Sequence, residues 1–303
     1  MSAPLVAAAG PMTTLSWPPL GAVTTFLGDM QPWWAEMVKE DNEKCEHTHN
    51  FFHWFLPHAF CPSQTRIAKR CPGTKAKWIC LQALQVRPIS WAPEARAASP
   101  CVIYSFGSSG ATCFEEEFVK LNRLQHRTCE VHIFDPTSRS IVKHGWHYYG
   151  YGLGGRDPKE NRYYNWRTQK EAYCPSCAMK TLKQTMASLS HSFVDVLKVD
   201  IDGAEWRSFE AIFDDFSNPD EPLPFGQLQI ETTGLDITPQ NASRIANFWR
   251  TLARRRFAAF HLETTLSTCR IRNKSQGTST EFALINMHPA MSHRRANATS
   301  TSR

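Results

Sequence analysis

One stretch constrains the fold more than any other part of the chain: Asp195-Val-Leu-Lys-Val-Asp-Ile-Asp-Gly-Ala-Glu-Trp206. An apolar run from Phe193 to Ile201 leads into paired carboxylates, a glycine and a helical pattern, which predicts a buried strand that feeds a helix. Ligands of open α/β sheets bind beyond the carboxyl ends of the strands, so Asp200 and Asp202 lie where chemistry is expected. Asp202 has a second interpretation, as the cap of a helix that starts near Ala204. Asp200 ends an apolar strand, and for this residue we favour a functional role.

From Cys101 onward the sequence alternates between strand patterns and helix patterns. Strands are predicted at residues 101–106, 131–134, 146–151, 193–201, 227–230, 257–262 and 281–287. Apolar residues at helical spacing mark the helices between them, for example Phe114, Phe118, Leu121 and Leu124. This alternation predicts an α/β fold, with a mostly parallel sheet and helices on both of its faces.

The segments on either side of this alternation differ in composition. Residues 1–30 are rich in Ala, Pro and Thr, and residues 289–303 in Ser, Thr and Ala, so both are predicted to be disordered. Residues 31–98 form an N-terminal extension that is rich in Cys, His and Trp, and residues 99–288 form the α/β domain.

The cysteines favour disulfides over a metal site. Those of the extension, Cys45, Cys61, Cys71 and Cys80, are nine or more residues apart. Zinc sites need close ligand pairs such as Cys-x2–4-Cys, so we favour disulfides or buried thiols and assign no metal ligands. Cys174-Pro-Ser-Cys177 has the close spacing but no second pair, which favours a local disulfide or a helix start. The sequence is compatible with either the secretory pathway or the cytoplasm.

The charge pattern argues against a nucleic-acid partner. The net charge of +6 comes partly from short clusters such as Arg254-Arg255-Arg256. These arginines end a helical pattern, where the helix dipole favours cations, whereas nucleic-acid binders gather basic residues and aromatics on one face. No apolar run approaches the length of a membrane-spanning helix.

A tight turn, Gly107-Ser-Ser-Gly110, follows the first strand of the alternation. Such a turn lets the backbone approach a ligand at the start of the next helix. Asp135 ends the second strand, where a carboxylate can accept hydrogen bonds from both hydroxyls of a ribose. The dinucleotide fingerprint Gly-x-Gly-x-x-Gly is absent from this turn, which argues against a nicotinamide-dependent dehydrogenase.

Five segments together carry a resemblance to a known family. They are Cys101-Val-Ile-Tyr-Ser-Phe-Gly107, Phe114-Glu115, Cys129-Glu-Val-His-Ile-Phe-Asp135-Pro136, Gly152-Leu153 and the stretch from Asp195 to Trp206. With these segments the chain resembles the methyltransferase-like domain family related to the FkbM methyltransferases, over about residues 99–288. The most specific part is Leu197 to Trp206.

The resemblance implies a class I S-adenosylmethionine fold, a Rossmann-like three-layer α/β/α sandwich. Its sheet would have seven mostly parallel strands, with an antiparallel last strand. The implied cofactor is S-adenosylmethionine, with its methionine part against the glycine turn, its ribose on Asp135 and its methyl group facing Asp200. Gly152 and Leu153 would lie near the adenine. The implied cofactor-binding residues are Phe106, Gly107, Ser108, Ser109, Gly110, Asp135, Pro136, Gly152, Leu153 and Asp200.

Two positions depart from the family pattern. Ser105 stands two positions before the first glycine, where class I enzymes commonly have an acidic residue, so the methionine amino group needs a partner from elsewhere. Thr233 stands two residues after Glu231, where the family often has a histidine. The second departure weakens the case for Glu231 as a general base.

Methyl transfer needs a positioned donor and acceptor, and a base if the acceptor is a hydroxyl. Asp200, Asp202 and Glu231 meet at strand ends in this topology and are the predicted catalytic residues. They could supply the base or bind a divalent cation through oxygen ligands. We therefore predict an S-adenosylmethionine-dependent enzyme that methylates a hydroxyl of a small-molecule or glycan acceptor.

Two other functions fit parts of the sequence. Asp200-Ile-Asp202 matches the Asp-x-Asp with which glycosyltransferases hold a metal and a sugar nucleotide, although the glycine turn and Gly203-Ala-Glu-Trp206 fit methyl transfer better. The changes at Ser105 and Thr233 also permit a binding domain that has kept the fold and lost catalysis.

Overall fold

A computed structural model gives the arrangement of the α/β domain and of part of the extension. It describes residues 59–68, 76–88, 100–124, 128–137, 146–157, 162–165, 170–173, 178–232, 239–264, 280–288 and 291–293. The segments predicted to be disordered lie almost wholly outside these ranges, as do Cys45, Cys71 and the pair Cys174 and Cys177. Thr233 lies outside them too.

Seven strands form the central sheet. With strands labelled in chain order, their spatial order is β13 (Phe257–Thr264), β14 (Thr280–Asn286), β12 (Phe225–Thr232), β11 (Val194–Val199), β4 (Cys101–Phe106), β5 (Cys129–Phe134) and β6 (Trp146–Tyr149). Strand β14 pairs antiparallel with both of its neighbours, and the remaining pairs are parallel. The predicted mostly parallel sheet with an antiparallel last strand is confirmed.

Shorter strand pairs and four helices surround this sheet in the described ranges. The pairs are β1 (Gln64–Ile67) with β2 (Lys77–Cys80), β3 (Val86–Pro88) with β15 (Met291–His293), β7 (Tyr151–Leu153) with β10 (Ala178–Lys180), and β8 (Arg162–Asn165) with β9 (Lys170–Tyr173). The helices are α1 (Cys113–Leu124), α2 (Leu182–Ser188), α3 (Glu205–Asp215) and α4 (Pro239–Arg254), with a 3-10 turn at Gln82–Gln85. None of these helices is long and apolar enough to cross a membrane.

The strands are buried on both faces because helices cover both sides of a parallel sheet. Side chains that alternate along β4 therefore enter two different cores. Tyr104 and Phe106 pack in a core with residues of α2, α3 and α4, whereas Ile103 packs on the other face with Phe118 of α1. The result is the three-layer α/β/α arrangement that the sequence predicts.

The described part of the extension packs against the second of these faces. Ile67 and Ile79 share the core that contains Ile103 and Phe118. The side-chain amide of Gln227 in β12 forms hydrogen bonds with both the backbone N–H and the carbonyl of Cys80 in β2. Strand β2 is thereby fixed against the sheet, with Lys77 at its first position.

Disulfides hold every cysteine in the described ranges. Cys61 is bonded to Cys80 within the extension, and Cys101 to Cys129 between β4 and β5. Cys113 is also in a disulfide. For Cys61 and Cys80, the preference for a disulfide over a metal site is confirmed.

Candidate functional site

The glycine turn lies where β4 meets β5 and β11. Gly107 donates its backbone N–H to the carbonyl of Phe134 at 3.0 Å, and Asp200 donates to the carbonyl of Phe106 at 3.1 Å. Gly107 has a φ of +80°, and a Cβ at this position would lie 1.7 Å from the carbonyl oxygen of Asp200. Only glycine fits here, because both the backbone conformation and the contact exclude a side chain.

Asp135 organises this turn through its carboxylate. Its Oδ2 accepts hydrogen bonds from the backbone N–H groups of Ser108 at 3.0 Å and Ser109 at 2.7 Å. Its Oδ1 accepts from the backbone N–H of Thr137 at 2.9 Å. The side chain is buried. Asp135 and the glycine turn, which the sequence predicts to act together, are therefore in direct contact.

The remaining predicted cofactor residues fall into two groups. Gly152 lies beside Pro136, since a Cβ on Gly152 would be 3.2 Å from the ring of that proline and 2.8 Å from Sδ of Met179. Phe106 and Leu153 are fully buried in the apolar core. In this conformation neither residue exposes surface to a ligand.

Glu115 supplies a buried carboxylate at the position where Ser105 replaces the expected acid. Ser105 donates its hydroxyl to Oε1 of Glu115, which extends from the first turn of α1. Oε2 of Glu115 is buried and has no hydrogen-bond partner among the described residues. Glu115 belongs to the segments that carry the family resemblance, but its position in the sequence indicates no role, because its proximity to Ser105 arises only when α1 packs on β4.

The carboxyl edge of the sheet also holds a group that we call the carboxylate–lysine cluster: Asp200, Glu231, Glu281 and Lys77. All four side chains are buried. Nζ of Lys77 lies 3.4 Å from Oδ2 of Asp200 and 3.9 Å from Oε2 of Glu231, and it also donates to Oε1 of Glu281. Carboxylate oxygens of the three acids lie within 4.8 Å of one another. The Lys77 ammonium thus lies where a cation would bind these acids.

Charge is nearly balanced within this cluster. Burial, with the Asp200 charge second, raises the pKa of Glu231 to about 9, and burial raises the pKa of Glu281 to about 7. Burial alone would lower the pKa of Lys77, but Asp200, Glu281 and Glu231 outweigh it and raise that pKa. At neutral pH Glu231 is therefore protonated, and Lys77 is positively charged. A second ammonium, on Lys198, lies 3.9 Å from Asp200 and donates to the carbonyl of Gly107 at 2.9 Å.

Neither lysine nor Glu281 is among the predicted site residues. Lys77 is 123 residues from Asp200 in the chain, so its position depends on how the extension packs. Lys77 stands in an otherwise apolar strand, and Lys198 shares its strand with a single other charged residue, Asp195, so each lysine is an anomaly that could have identified it. Glu231 lies within β12 rather than after it, and it still reaches the same edge of the sheet.

Asp202, for which the sequence leaves a capping role open, is not the N-cap residue of the following helix. The N-cap residue is Ala204, which makes no side-chain capping bond, and helix α3 begins at Glu205. Oε1 of Glu205 accepts from the backbone N–H of Ile201 at 2.9 Å, and its Oε2 from that of Gly203 at 2.8 Å. Asp202 has a φ of +56° within this turn. The Glu205 side chain therefore folds back from the first helical turn and satisfies two backbone donors of the loop that precedes the helix.

Burial gives Glu205 a raised pKa of about 8, against the effect of its backbone hydrogen bonds. Two buried glutamates, Glu205 and Glu231, thus flank Asp200 at this edge with raised pKa values. Asp200 itself lies between the two ammonium groups.

Comparison with known proteins identifies related sequences. A family model described as "Methyltransferase domain" matches residues 32–284. The chain is 28% identical over 177 residues to "Probable methyltransferase-like protein 24" of Homo sapiens, and equally to the protein of that name from Rattus norvegicus. The matched segment covers 55% of this chain and 44% of each relative, so the chain spans about half the length of the curated relatives it matches.

Proposed function

The chain belongs to the methyltransferase domain family, and from this premise we propose that it transfers a methyl group from S-adenosylmethionine to a hydroxyl of a small-molecule or glycan acceptor. The observation that carries the proposal is the convergence of the glycine turn, Asp135 and Asp200 at one edge of the sheet. This edge is where open α/β sheets bind ligands.

The residues at this edge fit the chemistry of the cofactor. A buried oxygen of Glu115 has no partner among the described residues, and an ammonium group such as that of the methionine part would give it one. Space is open beside Gly110, since a Cβ there would meet no atom within 4 Å. When bound, S-adenosylmethionine supplies an electrophilic methyl group. Gly107 to Gly110, Asp135 and Glu115 would hold it.

Asp200 is the residue we assign to proton removal from the acceptor hydroxyl. Lys77 and Lys198 favour its ionised form through their charges. Glu231 is neutral at pH 7 and shares a hydrogen bond with Asp200, so it acts as a donor that orients this carboxylate rather than as a second base. Glu231 therefore has a supporting role in this proposal, and Asp202 is assigned none in proton removal.

One observation favours the alternative of a binding domain without catalysis. Both carboxylate oxygens of Asp135 already accept hydrogen bonds from the turn and from Thr137, so a ribose must displace some of them. The sugar-nucleotide interpretation of Asp200-Ile-Asp202 is disfavoured by the family assignment, because the matched family is one of methyltransferases.

Binding of the cofactor product separates these possibilities first. In calorimetric titration of the full chain with S-adenosylhomocysteine, we expect wild type to bind. Asp135→Asn and Glu115→Gln should each bind at least about tenfold more weakly, because each loses a charge-assisted hydrogen bond. Asp214→Asn, at an exposed position on α3, is the matched control and should bind like wild type. Absence of binding by wild type, with binding of a sugar nucleotide and manganese, would refute the proposal.

Turnover then tests the catalytic part. In a screen of hydroxyl-bearing small molecules and glycans with methyl-labelled cofactor, Asp200→Asn should lose at least about 100-fold in rate while it still binds S-adenosylhomocysteine. Equal rates for wild type and Asp200→Asn would exclude Asp200 as the base. Wild type that binds the cofactor and methylates none of the acceptors would favour the binding domain.

A further inference from the structure

A second group of polar side chains lies on one face of the sheet, away from the glycine turn. We call Glu130, His132 and His191 the histidine cluster. Glu130 and His132 are two residues apart on β5 and therefore project from the same face. His191 comes from the loop between α2 and β11. The cluster thus joins a central strand to a loop that is about 60 residues away in the chain.

The two histidines direct the same ring nitrogen towards the same carboxylate oxygen. Nε2 of His191 lies 3.3 Å, and Nε2 of His132 lies 3.5 Å, from Oε2 of Glu130. The three atoms lie within 4.8 Å of one another. In a tetrahedral zinc site with bonds of about 2.0–2.1 Å, neighbouring ligand atoms are about 3.3–3.4 Å apart. The two distances to Glu130 are close to those of such a site.

The other ring nitrogens are held by tyrosine hydroxyls. Nδ1 of His191 forms a hydrogen bond of 2.7 Å with the hydroxyl of Tyr104, and Nδ1 of His132 one of 3.2 Å with that of Tyr149. Metal-bound histidines usually have their second ring nitrogen engaged in this way, which fixes the orientation of the ring. Both rings are thereby positioned with Nε2 towards the centre of the cluster.

One of these nitrogens lacks a partner. Nε2 of His132 is buried, with only 5% of the side chain exposed, and apart from the 3.5 Å contact with Oε2 of Glu130 it has no hydrogen-bond partner among the described residues. A buried polar atom without a partner is costly, and a cation at the centre of the cluster would satisfy it. Glu130 is 42% exposed, so an ion can enter from solvent on its side.

From this geometry we propose that Glu130, His132 and His191 bind a zinc ion. Two imidazoles and one carboxylate are ligands that zinc accepts, and the fourth position would hold water. His132 and Glu130 precede Asp135 by three and five residues on one strand, which places the ion about 10–17 Å from the glycine turn. The zinc would therefore fasten β5 to the α2–β11 loop and take no part in methyl transfer.

Zinc titration of the chelator-treated full chain tests this proposal. The two partly exposed ligands, His191 and Glu130, are the positions to change, because substitution of the buried His132 could prevent folding. His191→Ala and Glu130→Gln should each bind one zinc equivalent fewer than wild type. His147→Ala is the matched control: this exposed ring stacks on His132 at 4.9 Å but belongs to no ligand set among the described residues, so the variant should bind as many equivalents as wild type.

Thermal unfolding provides a second readout. Saturating zinc should raise the unfolding midpoint of wild type and His147→Ala by about 5 °C more than that of His191→Ala or Glu130→Gln. The comparison between variants is needed because the chain has further histidines and cysteines outside the described ranges. Equal zinc stoichiometry in wild type, His191→Ala and Glu130→Gln, or equal zinc-induced shifts, would overturn the proposal.

Discussion

The carboxylate–lysine cluster and the histidine cluster are both groups of titratable side chains against the same sheet, yet they balance charge in opposite ways. In the first, Lys77 lies among Asp200, Glu231 and Glu281 and makes a polar contact with each. In the second, three ligand atoms face one another, and Nε2 of His132 has only the 3.5 Å contact with Glu130 in the described part of the chain. One cluster contains its own cation, and the other has the geometry to take one from solution.

The difference shows that burial of acids or histidines does not by itself indicate a ligand site. Burial raises the pKa of Glu231 to about 9 and lowers that of His132 to about 4, so each group is neutral at pH 7. What distinguishes the clusters is whether each polar atom already has a partner. In the carboxylate–lysine cluster the Lys77 ammonium is that partner, so the acids need no metal ion to balance their charge.

The largest expected effect comes from removing the internal cation. Lys77→Met should lower the free energy of unfolding by about 3–5 kcal/mol, since it leaves buried carboxylates without their counterion. Denaturant titration of the full chain measures this loss. The control is Arg66→Met, which breaks the partly exposed pair with Glu263 and should cost no more than about 1 kcal/mol. Equal losses in the two variants would mean that Lys77 does not balance the cluster.

A smaller effect is expected from the tyrosine that orients His191. Tyr104→Phe removes the hydroxyl at Nδ1 and should weaken zinc binding by about 10–100-fold, with unchanged affinity for S-adenosylhomocysteine. Tyr148→Phe is the matched control beside the glycine turn, because the Tyr148 hydroxyl donates to the carbonyl of Asp135 at 2.7 Å. Calorimetry with both ligands should show that only Tyr104→Phe affects zinc. A loss of zinc affinity in both variants would contradict the inference that the zinc site is independent of the edge that holds the glycine turn.

The smallest effect is a dependence of stability on pH. Folded Glu231 keeps its proton up to about pH 9, whereas an unfolded glutamate releases it near its ordinary pKa of 4.5. The stabilisation from this group is therefore complete below pH 4.5, declines as the pH rises and is lost above pH 9. Between pH 7 and 9, wild type should lose about 2 kcal/mol of unfolding free energy more than Glu231→Gln does.

Denaturant titrations at both pH values measure that difference. Glu221→Gln, at an exposed position, is the control and should show the wild-type decline. Because Glu205 titrates with a raised pKa in all three proteins, it cancels from the comparison. An identical decline in Glu231→Gln would show that Glu231 is already ionised at neutral pH.

Much of the fold was predictable because its patterns are local. The alternation of apolar strands and amphipathic helices predicts the α/β sandwich, and the glycine turn and Asp135 are predicted to meet, as they do. The helix start after Asp202 was placed correctly to within a residue, but the contact of Glu205 with the loop before the helix was not predicted. Glu205 could not be distinguished from an ordinary first-turn acid without knowledge of how its side chain folds back.

By itself, the sequence determined the parts of this protein that depend on neighbouring residues: the strand that ends at Asp200, the turn that requires Gly107 and the order of strands and helices. Tertiary structure alone decided the partners of those residues. Lys77 reaches Asp200 across 123 residues, and His191 reaches Glu130 across 61, because packing rather than spacing brings them together. Electrostatic balance and ligand geometry depend on distances in space, which no local pattern encodes.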